Sequence, residues 1–501
     1  MTKLPRPQCF TTPKANQASQ ARTASMLPRP SLLALALMIA AGSGAATVQA
    51  ETLSQLTAQA RGYDASWQAQ QADARAAASR ADQALSGLLP SVGLQGGVNR
   101  THTEIHLPQA ATGVNTTLQN LQLSAQQPLY RPANKVAYEQ GQRGLDVAQA
   151  QLDGAAQSLI VRVAQAYFDV LSAQDSLNVA IAQKNAINSQ LEMAKRNFEV
   201  GTATITDSRE AQARYDLATA QEIAAQNEVQ VKRIALDQIV GKVGTQPSPL
   251  AQPLTLPTLQ PADAQSWVNT ALERQPQLRQ AQLALDVAQL ETQKAEAGHK
   301  PTVDLQAGYG INRYPNGYMT PSLPAGTRTN SAQIGVVMNL PLFAGFAVQN
   351  RVKETVALEE KARAQLDDAR RTVEQTTRTA YFGVQSGQAQ VKALEAALSS
   401  SQSALEANRL GYEVGVRINI DVLNAQSQLF QTQRDLAQAR YQVLLGQLKL
   451  RQSAGSLSDE DLRMIDALTV APSISGAAGK TAAPATAVAK AAKPAVRQEN
   501  R

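Results

Sequence analysis

The chain of 501 residues is 43% hydrophobic but only 4% aromatic and 17% charged. It therefore holds material for two or three domains or one elongated body, and the scarcity of rings and charges disfavours a compact enzyme core. The formal charge of +7 belongs to the ends: residues 1–50 carry five basic side chains and no acid, residues 473–501 add a net +4, and the body between is left at −2. That balance excludes a basic groove for nucleic acid. The single cysteine, Cys9, precedes the body, and the three histidines, His102, His106 and His299, are scattered. Neither a disulfide, a metal site nor another resident cofactor is expected.

Residues 31–46 form an apolar run preceded by Arg29 and followed by Val48-Gln49-Ala50, a small-x-small cleavage pattern. Residues 1–50 are read as a secretory signal peptide cut after Ala50, with Met26 as an alternative start that would give a short basic region. The run is shorter than the roughly 20 residues that span a bilayer. No cysteine follows it, which excludes a lipidated N-terminus.

The body repeats itself. Leu89-Pro90-Ser91-Val92 recurs as Lys300-Pro301-Thr302-Val303, Gln127-Pro128-Leu129-Tyr130 as Leu340-Pro341-Leu342-Phe343, and Ala166-Tyr167-Phe168 as Ala380-Tyr381-Phe382. Glu199-Val200-Gly201 with Asp207 recurs as Glu413-Val414-Gly415 with Asp421. The offset stays between 211 and 214 residues, so 51–256 and 257–455 are two copies of one unit. Each copy opens with an Ala/Gln-rich helical segment. Two alternating stretches follow, at about 91–105 and 120–127 in the first copy and 302–314 and 331–340 in the second, separated by polar loops at 106–117 and 315–329. The two-residue period predicts strands with one apolar face, and their length suits a tilted membrane strand. Long helices are predicted next, at about 133–200 and 207–241, then 348–414 and 421–455, because those stretches lack proline and hold few glycines. The longest would extend on the order of 100 Å. Val391, Leu398, Leu405 and Tyr412 step by seven with Leu394 offset by three, and Leu177, Leu191 and Phe198 form the matching set. Residues 456–472 follow the second copy, and 473–501, rich in Ala, Pro and Lys, are read as a disordered tail.

Four strands cannot close a membrane barrel, and lipid tolerates no open sheet edge, so copies of the chain must pool their strands, two giving eight and three giving twelve. Only the larger barrel begins to leave a lumen. Strands continued by very long helices describe a duct; the alternative is a periplasmic coiled-coil scaffold or adaptor without a channel, which leaves the apolar strand faces unexplained. No nucleophile elbow, zinc helix or paired catalytic carboxylate is present, and the chain is read as a non-enzyme.

The stretch Tyr412-Glu413-Val414-Gly415-Val416-Arg417-Ile418-Asn419-Ile420-Asp421-Val422-Leu423-Asn424-Ala425-Gln426 resembles the signature of the TolC family of bacterial outer-membrane efflux proteins. So do Asn339-Leu340-Pro341-Leu342-Phe343-Ala344-Gly345 and the first-copy break from Phe198 to Asp207. The resemblance covers about 51–461 and implies an α+β membrane protein: a homotrimer with a twelve-stranded outer-membrane β-barrel, an α-helical periplasmic barrel and an equatorial region that takes in 456–472. It implies a passive exit duct for efflux or type I secretion, surrounded by outer-membrane lipid, with a periplasmic adaptor (membrane fusion protein) and an inner-membrane pump of ABC or RND type as partners.

By the same resemblance the periplasmic tip is closed by links in which Tyr412 pairs with Asp207 and Arg417 with Thr206, while Asp421 contributes an acidic ring and Asn424 stands where a second acid is expected. Local chemistry offers another reading, in which Asp207 and Asp421 are helix N-caps and Asp207 with Glu210 has capping-box spacing. Tyr130 and Phe343 are candidates for an aromatic belt at the membrane interface or for packing at the strand-to-helix joint.

Overall fold

The computed structural model describes residues 50–107, 110–251, 253–317 and 324–469; the expected leader up to Gln49 and the tail lie outside them. Two short helices, α1 (Leu53–Tyr63) and α2 (Ala65–Leu85), lead into strands β1 (Ser91–Leu107) and β2 (Ala110–Tyr130). Helix α3 (Pro132–Glu199) and helix α4 (Ile205–Val240) follow. The second copy repeats the order with α5 (Ala264–Arg274), α6 (Pro276–Glu296), β3 (Thr302–Tyr314), β4 (Thr327–Asn339), α7 (Ala347–Glu413) and α8 (Asn419–Ser453), and a last helix α9 (Asp459–Asp466) ends the described chain.

The strands form one antiparallel sheet in the order β1-β2-β3-β4. The first hairpin is longer than the alternation predicts: β2 begins at Ala110, so most of the expected loop at 106–117 is ladder, with Arg100 opposite Thr117 and His102 opposite Asn115. Thr, Asn and Val serve an extended strand as readily as a loop, and cross-strand pairing decides. His102 accordingly lies in a strand, with Nδ1 2.9 Å from Asn115 Oδ1, instead of at a loop edge. Register sorts the sheet into two faces. Val92, Leu94 and Val98 share one face with Leu121, Leu123 and Ala125, then Leu305, Ala307, Tyr309 and Ile311, then Ile334, Val336 and Met338. Gln95, Asn120, Gln122, Ser124, Gln306, Asn312, Ser331 and Gln333 occupy the other. The apolar face is open, with Val98 71% and Ile334 77% exposed.

The joint below the sheet is fixed by a bidentate ion pair, Arg131 Nε and Nη2 to the Asp304 carboxylate at 2.7 and 2.6 Å. Pro132 opens α3 as its first helical residue, where a missing N–H is harmless. Tyr130 and Phe343 are both exposed, the latter ring edge-on to Phe346 with centroids 5.5 Å apart; core packing at the joint is not what they do in the chain.

Helices α3 and α7 hold 68 and 67 residues, about 100 Å each. Each packs along one part of its length with a shorter helix, α2 or α6, and along another with its returning partner, α4 or α8. Seven-residue steps bury Val391 and Leu405 against α8, with Leu394 and Leu398 partly buried. In the first copy the buried seam is Ile187, Leu191 and Ala194, whereas Phe198 is exposed.

The largest apolar core gathers midway along α3, where Tyr167 and Phe168 are enclosed by α1, Leu236, Tyr441, Leu444 and α9 residues Leu462 and Ile465. Here the repeated Ala-Tyr-Phe acquires a meaning that the sequence reading did not assign. Tyr167 Oη donates to the Ser248 carbonyl and Tyr381 Oη to the Ala262 carbonyl, both at 2.6 Å. Each copy thus pins the chain segment that crosses its long helix. Desolvation raises the Tyr167 phenol well above its ordinary range, so it stays a neutral donor. Helix α9 docks on α1 through Arg61 and Asp459, at 2.9 and 2.6 Å, while the Asp466 carboxylate accepts the Leu53 N–H at the start of α1, at 2.9 Å.

Candidate functional site

The candidate residues sit where α3 turns into α4 and α7 into α8. Both turns use the same device. Gly201 and Gly415 hold left-handed φ of 75° and 79°, conformations that glycine adopts without strain. Each helix closes with a Schellman pair: Gly201 N–H donates to Phe198 and Thr202 N–H to Asn197, just as Gly415 donates to Tyr412 and Val416 to Gly411. Helix α4 then restarts at an N-cap supplied by Thr204, whose side chain accepts the Asp207 N–H while Asp207 Oδ2 accepts the Thr204 N–H at 3.0 Å and its hydroxyl at 2.8 Å. This corrects the sequence reading of the caps. Asp207 is the third helical residue of a Thr204–Asp207 box, and no box joins it to Glu210. Asp421 likewise follows the N-cap, which is Ile418, and makes an ion pair of 3.7 Å with Arg417 of the same break.

The two breaks lie against one another. A cleft of about 860 Å³ between them is lined by Asn197, Thr204, Asp207, Arg409, Tyr412 and Arg417 among others. Tyr412 and Asp207 therefore share a cleft but do not bond each other: the Tyr412 hydroxyl accepts from Asn197 Nδ2 at 3.3 Å, and the Asp207 carboxylate is engaged by Thr204. Thr206 is exposed in the first turn of α4, and among the described residues Arg417 bonds Asp421, not Thr206. Asn424 accepts from Arg214 Nη2 at 3.2 Å, tying α8 to α4.

Sequence reasoning missed four participants. Asn197 had no signal beyond lying on the equivalent of Gly411. Gln190 and Asn419 form a buried amide pair, Gln190 Nε2 to Asn419 Oδ1 at 2.6 Å, that fastens α3 to the start of α8; Asn419 is 2% exposed and its Nδ2 has no partner among the described residues. Gly411 seats Arg417: a Cβ added there would stand 2.7 Å from Arg417 Cγ. Among the described residues no group of acids and histidines could hold a metal.

A sheet with one lipid-compatible face, carried on helices that reach far beyond any globular core and end in a paired turn, defines an outer-membrane duct with a helical tunnel. The comparisons agree. The family model described as outer membrane efflux protein matches residues 56–242 and 267–456, one stretch in each copy. Outer membrane protein TolC of Escherichia coli (strain K12) is 32% identical over 419 residues, covering 83% of this chain and 84% of that protein. The alkaline protease secretion protein AprF of Pseudomonas aeruginosa is 31% identical over 353 residues, 69% of this chain and 71% of that protein. Among solved structures, the outer membrane protein VceC of Vibrio cholerae superposes with a TM-score of 0.70 at 20% identity, covering 80% of this chain and 96% of VceC. The chain belongs to the outer membrane efflux protein family. It is an outer-membrane exit duct for efflux and type I secretion, with its helical tunnel in the periplasm. A periplasmic scaffold without a channel is set aside.

Proposed function

We propose that three chains assemble into one conduit whose periplasmic tip is held shut at the two helix breaks, and that a periplasmic adaptor and an inner-membrane pump of ABC or RND type open and load it. Trimerisation is supported by the sheet. Its outer strands, β1 and β4, each have one unpaired edge, which lipid does not tolerate. Its second face carries Gln, Asn, Ser, Thr and Gly at most positions, suited to a watery lumen that an eight-stranded barrel would fill with side chains. Tyr130 and Phe343 at the strand ends would form the aromatic girdle next to the periplasm. The relatives are channels, and the chain is read as a passive conduit without catalysis.

The observation that carries the gate is the contact of the two breaks through Asn197 and Tyr412 beside Asp207 and Arg417. In the closed tip, Arg417 of one protomer reaches the exposed Thr206 of its neighbour, and Asp421 faces the pore as a ring of three carboxylates, less cation-selective than two such rings because Asn424 is neutral. Native mass spectrometry in mild detergent tests the assembly, and a monomer would refute it. Planar-bilayer conductance of Arg417→Ser tests the gate: larger, longer openings are expected, and wild-type conductance would remove Arg417 from it.

A further inference from the structure

The outward face of the sheet changes character abruptly at its far end. Along β3 that face reads Leu305, Ala307, Tyr309, Ile311 and then Arg313; along β1 it reads Val92, Leu94, Val98 and then Arg100. Arg313 stands directly opposite Arg328 of β4. Like charges in directly opposed positions destabilise a ladder, and among the described residues no carboxylate pairs with Arg100, Arg313 or Arg328; Arg328 Nε donates only to the amide oxygen of Asn330, at 3.2 Å. Both arginines of the pair, with Val98, Leu121 and Ile311, line an open hollow of about 690 Å³.

Position supplies the ligand. From Ser91 to Arg100 and from Thr302 to Arg313 the strands advance nine and eleven residues. At about 3.3 Å per residue and a tilt near 40° this is roughly 25 Å along the membrane normal, the height of the apolar band of an outer-membrane barrel. Strand β1 leaves the helical side at Ser91, so the arginines lie at the outer rim, level with the headgroups of the outer leaflet.

We propose that Arg313 and Arg328, with Arg100 one register step farther out, form a binding site on the barrel exterior for a phosphorylated lipid of the outer leaflet. Its phosphate lies between the two guanidinium groups, and an acyl chain descends over Val98, Leu121 and Ile311. Charge complementarity selects the occupant: a phosphate accepts from both guanidinium groups at once and removes the repulsion of the opposed pair. The apolar floor distinguishes a lipid from free phosphate. The site is independent of the gate and rests on the proposed barrel in the outer membrane.

Native mass spectrometry of the full-length protein, released from vesicles that contain diphosphorylated lipid A in phosphatidylethanolamine, tests it. Wild type is expected to retain lipid A in preference to its dephosphorylated form, with Arg313→Gln/Arg328→Gln retaining about thirtyfold less and Arg313→Lys/Arg328→Lys recovering part of it. Excess inorganic phosphate should not strip the lipid. The proposal is overturned if the glutamine variant, assembled and with wild-type circular dichroism, retains as much lipid A as wild type. It is equally overturned if phosphorylated and dephosphorylated forms are held alike, or if phosphate alone displaces the lipid.

Discussion

Tyr412→Phe deletes one hydroxyl from the tip cleft and little else. The bond it removes, from Asn197 Nδ2 at 3.3 Å, is long, partly buried and neutral, which places it near the lower end of the usual range, about 0.5 kcal/mol. Three protomers acting together would lose about 1.5 kcal/mol of closed-state stability, so the ratio of open to closed channels should rise about tenfold. Because Asn197 is the hydroxyl's only partner among the described residues, Asn197→Ala should have the same effect, and the double variant should be no more open than either single one. Single-channel recording in planar bilayers reads the open probability directly. Additive effects of the two substitutions, or a Tyr412→Phe channel as closed as wild type, would refute the reasoning and leave the contact as packing.

Gly411→Asn copies the first repeat, where Asn197 closes the helix and Ala203 stands in place of Arg417; it should push Arg417 off its seat, from which an added Cβ would be only 2.7 Å away, and reproduce the conductance of Arg417→Ser, whereas a wild-type recording would show that Arg417 needs no seat. Thr204→Ala removes a helix cap and should lower thermal stability by about 1 kcal/mol per protomer with conductance unchanged, as followed by circular dichroism and bilayer recording. The docking of α9 on α1 should be acid-sensitive. The hydrogen bonds from Arg61 hold the Asp459 carboxyl below its ordinary 3.8, so the pair's contribution is complete above that value and fades as pH falls through the depressed one. Since both side chains are substantially exposed, it amounts to at most about 1 kcal/mol. Arg61→Gln should therefore be less stable than wild type at pH 6, and the difference should shrink as the pH is lowered below 3.8.

Much of the architecture was legible because its signals are long. Proline-free stretches gave the two great helices, and the alternation of Val92, Leu94 and Val98 gave the lipid face. The duplication emerged from short motifs whose purpose only the fold explains, such as the tyrosines that clamp the crossing segments. The length of β2 was not legible, since residues 110–119 are mostly Ala, Thr, Gly and Asn, with Val114 and Leu118 too far apart to show a two-residue alternation, and the stretch is extended because β1 pairs with it. At the tip the two breaks fall at the glycines of the repeated motif, and within the chain Tyr412 meets Asn197 and Arg417 meets Asp421. The spacing of Asp207 and Glu210 resembles a capping box, but Thr204 lies one turn earlier and takes the cap. Contacts such as Asn197 with Tyr412 join residues 215 apart, and the folding of Arg417 over Gly411 depends on the left-handed turn between them; neither leaves a local pattern in the sequence.

The closed tip is tested most directly by tying the two breaks together. Cys9 is the only native cysteine, so Asn197→Cys with Tyr412→Cys in a Cys9→Ser background introduces one addressable pair per protomer. A cleavable bifunctional maleimide across that pair should hold the channel in its low-conductance state, and cutting the linker should restore openings of the unlinked variant. A linked channel that opens as often and as widely as the unlinked one would contradict the assignment of the gate to the helix breaks.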